Sequence, residues 1–561
     1  MAGATLLAAC GGPAPPAPAE QSVRQFSPPP GRHHAAPTEP STLLVSGPIG
    51  APGGPYLRDR YGRVVLFHGV NAVYKYAPFI ATPAPGRPWN FGAADAARIA
   101  GLGFNVVRLG LTWQGIEPGV GGPNNPAVCT RGTPRTAVTL NASVARAYLT
   151  KVARTVDLLG RDHVYTILDM HQDVWNQAFR GEGAPGWAVC TDGLPLVPLP
   201  GRWSANYRNG ALNRAMDHFW ANDVVGNLQG HYDAAWGAVA RVFGSNPWIL
   251  GYDPFNEPFT SEVTISDTQA FAGELECFYT GTAHPGYLND RGDPLRCPAT
   301  VPATGVVPTI EAADPHHLVF VEPDIFSIGH QPNLLGPMDF SNLVFNFHSY
   351  CGYRSPLTGD PTNVDACAQQ QLTTLLRRGR ERPFLSSPRQ PGGPPWFMSE
   401  FGATHDNDLL DRVTGYADLL GLGWTYWSWK YYDDPTGSTD EELVSATGHL
   451  ESTVNVLSRT YAQAVAGTPV SVLFDPGSGS FKLAYVPSER VEAPTVVFVA
   501  ARHYPEGYCT VVSGGHIVSP PGATHLLIDN NPGASDVDVT VDPGRCPPAP
   551  TPASSTTSTT S

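Results

Sequence analysis

Ile249-Leu-Gly-Tyr-Asp-Pro-Phe-Asn-Glu257-Pro258 is an apolar run that ends in a polar cluster bounded by prolines, the pattern of a buried strand running into a loop. Outward from it in both directions, runs of the same kind alternate with longer helical patterns. Strands are expected at Val64 to Val70, Phe104 to Leu109, Val164 to Met170, Ile249 to Asn256, Leu318 to Glu322, Leu343 to Tyr350, Trp396 to Glu400 and Gly423 to Trp429. Helices are expected at Ala93 to Leu102, Ala142 to Leu159, Leu212 to Phe243 with a break, and Asp406 to Leu422, with Glu451 to Ala466 closing the last unit. Eight βα units with polar residues at nearly every strand end fit an α/β fold of the closed (β/α)8, or TIM barrel, type better than an open doubly wound sheet. From Pro469 onward the period shortens to that of strands separated by Gly, Pro and Asn turns, and a small C-terminal β-sandwich is expected.

Four segments follow: residues 1–45, an export-signal remnant and disordered Pro/Ala-rich linker; 46–466, the barrel; 467–547, the sandwich; and 548–561, a disordered Ser/Thr tail. Met1-Ala-Gly-Ala-Thr-Leu-Leu-Ala-Ala-Cys10 resembles the end of a bacterial lipoprotein signal without its basic start, which makes Cys10 a candidate lipidation site. The expected location is outside the cell, secreted or anchored on the bacterial surface. Of nine cysteines, the eight other than Cys10 fall into neighbouring pairs, Cys129 with Cys190, Cys277 with Cys297, Cys351 with Cys367 and Cys509 with Cys546, as in an oxidising compartment.

With 35 Lys and Arg against 49 Asp and Glu, the chain carries a formal charge of -14 and no basic run that would follow a phosphate backbone, which argues against nucleic acid as a partner. No apolar stretch is long enough to span a bilayer. No cysteine pair has zinc-ligand spacing, adjacent histidines such as His316-His317 point to different sides, and neither a metal nor another cofactor is expected. A monomer is expected.

Chemistry in a barrel collects where strands meet the loops that follow them. Those positions hold Asn71 and Lys75 after strand one, Arg108 on strand two, Asp169 to Asp173 with His171 after strand three, Asn256-Glu257 after strand four, His348 and Tyr350 on strand six, Glu400 on strand seven, and Trp427 and Trp429 on strand eight. Cleaving a glycosidic bond needs one carboxylic acid to protonate the leaving oxygen and a second carboxylate to meet the oxocarbenium-like carbon. Glu257 and Glu400 are the candidates. Glu322, after strand five, lacks the asparagine that precedes Glu257 and is set aside.

Asn256-Glu257-Pro258 and Ser399-Glu400-Phe401-Gly402, with Arg108, His348, Tyr350 and Trp427 in order, resemble glycoside hydrolase family 5. The resemblance implies that Glu257 is the general acid and base and Glu400 the nucleophile of a retaining reaction, with Arg108, His348 and the Tyr350 hydroxyl orienting Glu400. It implies too that Asn256 meets the sugar 2-hydroxyl and that Trp427 offers the sugar a flat face. Gly69-Val-Asn-Ala-Val-Tyr-Lys75-Tyr-Ala-Pro78, Leu168-Asp-Met-His171-Gln-Asp173-Val174 and Gly186-Trp187 are similar to the endoglycoceramidase branch of that family. That likeness adds Lys75, His171, Asp173 and Trp187 as substrate-binding residues and implies a glycolipid substrate, cut between glycan and ceramide, with possible contact to a membrane surface. A β-glucosidase acting on glucosylceramide or steryl glucoside, or a disaccharide-releasing glycosidase, would use the same carboxylates. A carbohydrate-binding surface protein that has lost catalysis is the alternative of a different class.

Overall fold

Eight strands pair in parallel to close a barrel in this computed structural model, which describes residues 22–27, 49–119, 139–201, 203–224, 226–260, 265–283, 286–287, 294–298, 305–325, 328, 331–355, 360–433, 436 and 441–546. The strands are His68–Ala72, Val106–Leu111, Tyr165–Met170, Ile249–Asp253, Leu318–Val321, Leu343–Ser349, Trp396–Gly402 and Gly423–Trp427. The eighth pairs with the first through Trp424 and His68. Helices Ala93–Gly101, Ala142–Arg161, Val364–Glu381 and Asn407–Leu420 lie among those that pack outside. The helix Ala142–Arg161 begins where the Asn141 side chain accepts from the amides of Ser143 and Val144, and it buries Tyr148, Leu149, Val152, Val156 and Leu159 on one face. The expected break between Leu212 and Phe243 falls between Gly210–Ala221 and Leu228–Phe243, where Asn222 and Asn227 both take left-handed backbone and their side chains bond each other at 2.7 Å.

Alternation along each strand divides the residues between the barrel interior and the helix layer. Phe67, Val106, Tyr165, Ile167, Leu250, Phe320, Val344 and Phe397 fill the lower interior. Val107, Leu109, Leu168, Phe345 and Phe347 face the helices. One step above the apolar plug, the same inward positions carry Arg108, Asp169, Asn346 and His348, all buried. Two strands break this alternation. On strand seven Phe397 faces in while Met398 and Phe401 face out, and the pairing slips between Met398 and Glu400. This bulge turns Glu400 inward beside His348, where unbroken alternation would have aimed it at the helices. On strand four a similar slip lies between Ile249 and Gly251.

The C-terminal sandwich differs from its sequence outline at its edges. A five-stranded antiparallel sheet runs in the order Val23–Ser27, Tyr508–Ser513, Val537–Pro543, Ser480–Pro487 and Gly467–Asp475. A six-stranded sheet runs Gly515–Ile517, His525–Asn530, Thr495–Phe498, Tyr461–Val465, Val64–Val65 and Leu57–Arg58. Three expectations are therefore corrected. Val23–Ser27, read as part of a disordered linker, pairs with Tyr508–Ser513 because that edge strand offers unpaired backbone groups. The first expected strand divides: Val64–Val65 joins the sandwich, and His68–Ala72 joins the barrel. Glu451 to Ala466 is not a helix; one turn at Val454–Leu457 leads into Tyr461–Val465, buried throughout between two neighbouring strands.

Arg459 joins the two parts. Fully buried, it donates to Asp418 at 2.9 Å, Asp411 and Thr414 at 3.0 Å, and the Phe474 carbonyl at 2.8 Å. His68 stacks between Trp424 of the barrel and Tyr461 of the sandwich. Disulfides link Cys277 with Cys297, Cys351 with Cys367 and Cys509 with Cys546, as the spacing suggested. Cys129, the expected partner of Cys190, lies outside the described residues, as do Cys10 and residues 548–561.

Candidate active site

Arg108 is the hub of the polar layer. Nη1 donates to Glu400 Oε1 at 2.5 Å, Nη2 to Asp253 at 2.8 Å and to the Asn256 side-chain oxygen at 2.9 Å, and Nη2 lies 3.0 Å from Asp169. Burial opposes its charge, but these carboxylates outweigh it and hold the guanidinium well above its ordinary pKa. Tyr350 donates its hydroxyl to the other Glu400 oxygen at 2.9 Å. Glu400 thus receives two donors on its two oxygens, which hold the carboxylate in the orientation a nucleophile needs.

Glu257 has different surroundings. Burial raises its pKa and the Glu400 charge adds to the effect, against the opposing influence of His348. His348 Nδ1 lies 2.8 Å from Glu257 Oε1 and 3.4 Å from Glu400 Oε2. One carboxylate oxygen from each glutamate and a His348 nitrogen all fall within 4.8 Å of one another. A retaining glycosidase separates its carboxyl groups by about 5 Å. Glu257 has left-handed backbone, φ 46°, uncommon outside glycine. Its N–H donates to Glu322 Oε2 at 3.1 Å, and Gln172 Nε2 donates to its carbonyl at 3.1 Å, which together fix that turn.

Glu322, set aside from sequence, belongs to this layer. Besides the Glu257 amide it meets His348 Nε2 at 3.1 Å, Asn346 at 3.1 Å and Arg108 at 3.3 Å. Burial would raise its pKa, but His348 and Arg108 bring it below the usual value; reciprocally, the charges of Glu322 and Glu400 overcome burial and push His348 well above its own. Asp253 completes the group, accepting from Arg108 and from Asn346 at 2.9 Å, and burial together with the Glu322 charge raises its pKa. The sequence offered one signal for these residues, a carboxylate or amide at a strand end.

A second cluster flanks the first. Lys75 Nζ meets Asp173 at 2.5 Å and the Thr436 hydroxyl, and lies 4.6 Å from the centre of the Trp427 ring. His171 stacks on that ring at 5.4 Å, with Nδ1 2.7 Å from Asp169 and Nε2 3.7 Å from Asp173. Burial lowers the His171 pKa, but Asp169 and Asp173 prevail and carry it to about 10. Trp427 itself donates to Glu441 at 3.1 Å. Asn256 keeps its side chain between Arg108 and the Gln172 carbonyl, 3.0 Å from its amide nitrogen. Trp187 stands apart. Its indole donates to the Glu117 carbonyl at 3.1 Å and its ring packs on Trp113 and His231. Trp429 donates to Asp95 at 3.2 Å beneath the first barrel helix.

A closed parallel barrel with two inward glutamates after strands four and seven, unequally surrounded and with carboxylate oxygens within 4.8 Å, defines a retaining glycosidase site. Residues 85–433 match the cellulase model of glycosyl hydrolase family 5, and residues 459–541 match the family 5 C-terminal domain. The chain belongs to glycosyl hydrolase family 5 and is a glycoside hydrolase. It is 28% identical over 484 residues to endoglycoceramidase I of Rhodococcus hoagii (strain 103S), covering 85% of this chain and 84% of the relative. It is 26% identical to the endoglycoceramidase of Cyanea nozakii over 81% of this chain and 85% of that one. Endo-glycoceramidase II from Rhodococcus sp., solved as a lactosyl-enzyme intermediate, superposes with a TM-score of 0.65 at 24% identity, over 88% of this chain and 100% of that one.

Proposed function

We propose that this enzyme hydrolyses the bond between the glycan and the ceramide of a glycosphingolipid, releasing the oligosaccharide intact and with its anomeric configuration retained. The observation that carries the reaction is the approach of Glu257 and Glu400 to within 4.8 Å in opposite electrostatic settings. Glu400, held by Arg108 and Tyr350, attacks the anomeric carbon while Glu257, whose pKa burial and the Glu400 charge raise, gives a proton to the leaving oxygen. Esterification removes the Glu400 charge that raises the pKa of Glu257, so Glu257 loses its proton more readily and then serves as base for the incoming water. Lys75, His171 and Asp173 supply hydrogen-bonding groups for sugar hydroxyls beside this pair.

The ceramide half of the reading is supported by the endoglycoceramidases that match this chain over more than four fifths of its length. Export fits the three disulfides among the described residues. Attachment through Cys10 would keep the enzyme at a surface where glycolipids are presented. Such a substrate brings the site to a membrane surface.

The test is incubation of the purified full chain with detergent-dispersed lactosylceramide, ganglioside, glucosylceramide and steryl glucoside, with mass analysis of both products. Intact oligosaccharide plus ceramide is expected. Release of glucose alone from glucosylceramide or steryl glucoside would move the substrate to the simple glucosyl lipids.

A further inference from the structure

The loop that follows the third barrel strand carries His171 and Asp173 at its start and returns to the helix Gly210–Ala221. Between them runs Gly193-Leu-Pro-Leu-Val-Pro-Leu-Pro-Gly201, nine residues without a charge or a polar side chain. Leu194 is 43% and Val197 64% exposed. Exposed apolar residues in a flexible loop would say little, but this loop is fastened at its base. The Thr191 hydroxyl donates to the Leu194 carbonyl at 3.0 Å, the Asn209 side chain to the Val197 carbonyl at 2.8 Å, and the Leu199 amide to Asn206 at 2.7 Å. Asp192, just before it, pairs with His218 at 3.0 Å. The backbone polar groups are spent inward, and the side chains of Leu194 and Val197 are held outward.

The same loop packs beside the site. Leu196, Trp203 and Tyr207 are half-buried against the barrel core. Trp203 packs on Tyr207 at 6.0 Å, and Tyr207 on Phe259 at 4.8 Å, two residues after Glu257. The loop that carries the ridge is therefore anchored by apolar packing that reaches the segment just after Glu257. Two more exposed aromatics, Tyr76 and Tyr353, sit on the loops that carry Lys75 and Cys351, at the same end of the barrel.

We propose that Leu194 and Val197 form a wedge that enters the boundary between headgroups and acyl chains of a lipid surface, bringing the Glu257 side of the site against the bilayer; this rests on the glycolipid reading above. The scissile bond of a glycosphingolipid lies at that boundary, so an enzyme acting on it in place must approach the boundary closely. Charge supports an apolar rather than an electrostatic contact. A chain of net charge -14, whose arginine run Arg377-Arg378-Gly379-Arg380-Glu381-Arg382 lies at the end of the helix before strand seven and not on the ridge, gains little there from anionic headgroups, while a small apolar ridge gains from shallow burial on any fluid lipid surface.

The full chain is compared with the double variant Leu194→Ser/Val197→Ser and with Phe384→Ser, which removes a 79% exposed ring just before strand seven, at the opposite end of the barrel. The readouts are co-sedimentation with phosphatidylcholine vesicles, cleavage of lactosylceramide in those vesicles and in detergent, and turnover of a soluble aryl lactoside. The wedge is expected to give vesicle binding that persists in high salt. The double variant is expected to lose about tenfold in binding and in cleavage within vesicles, while aryl lactoside turnover stays within about twofold. Equal vesicle binding by the double variant and the wild type, or an equal loss in Phe384→Ser, would overturn the wedge. Failure of the wild type to cut lactosylceramide even in detergent would overturn the ceramide reading instead, and co-sedimentation would still decide the wedge.

Discussion

Glu322 Oε1 lies 3.1 Å from His348 Nε2, while the other nitrogen of that ring faces Glu257 Oε1 at 2.8 Å. The imidazole is thus clamped between a structural carboxylate and the catalytic acid, and the Glu322 charge is one of the causes that hold it protonated. Glu322→Gln removes that charge and keeps the shape. We expect kcat to fall about ten- to a hundredfold with little change in KM, because His348 and the Glu257 turn are positioning elements rather than sugar contacts. The alkaline limb of the rate profile should move to lower pH as His348 gives up its proton earlier. An unchanged pH profile would remove Glu322 from the machinery.

His171 carries a pH signature of its own. Its ordinary value of 6.5 is raised to about 10 because Asp169 and Asp173 outweigh burial. The folded state therefore holds a proton that the unfolded chain releases, and this stabilisation is full below pH 6.5 and lost as pH rises through about 10. Chemical denaturation of wild type and His171→Gln from pH 6 to 10 should give a stability gap that narrows with pH. A constant gap would mean that the charge on His171 contributes nothing.

Asp233 is buried on the helix Leu228–Phe243, and among the described residues neither carboxylate oxygen has a hydrogen-bond partner. Burial raises its pKa well above 3.8. The unfolded chain ionises from that pH while the folded chain keeps the proton, so this group's contribution to stability falls as pH rises. Asp233→Asn, of similar volume but uncharged at every pH, should exceed the wild type in stability at neutral pH by about 1–3 kcal/mol, and by less near pH 4. Destabilisation at pH 7 would show that the carboxyl has a role in the fold.

Val23–Ser27 covers the edge strand Tyr508–Ser513, and Arg545 lies 5.5 Å from the centre of the Phe26 ring. A chain that starts at residue 46 exposes that edge. Its thermal transition should fall by a few degrees, corresponding to about 1–2 kcal/mol, and it should aggregate more readily, while kcat on an aryl lactoside holds. Equal melting temperatures would show that the strand adds nothing to the sandwich.

The readable parts of this chain were those with a local pattern. Barrel strands show as runs such as Val106 to Leu111, and Glu257 declares itself through the preceding Asn256. Glu322 follows a valine and is marked only as a carboxylate at a strand end; it gains meaning where strand five meets His348 of strand six. Nor does the sequence between Trp396 and Gly402 announce a bulge, so simple alternation from Phe397 would aim Glu400 at the helices. Tyr461–Val465 misled for a related reason. Its alanines suit a helix, and only the strands Thr495–Phe498 and Val64–Val65, far away in sequence, make a strand the better burial.

The double-displacement role of Glu400 is tested most directly by trapping. The full chain would be treated with an activated 2-deoxy-2-fluoro-lactoside, digested and analysed by peptide mass spectrometry. One lactosyl adduct is expected, on the peptide containing Trp396-Phe397-Met398-Ser399-Glu400, formed with loss of activity and absent in Glu400→Gln. A label on another carboxylate, or turnover that leaves no covalent adduct and gives the inverted anomer, would contradict it.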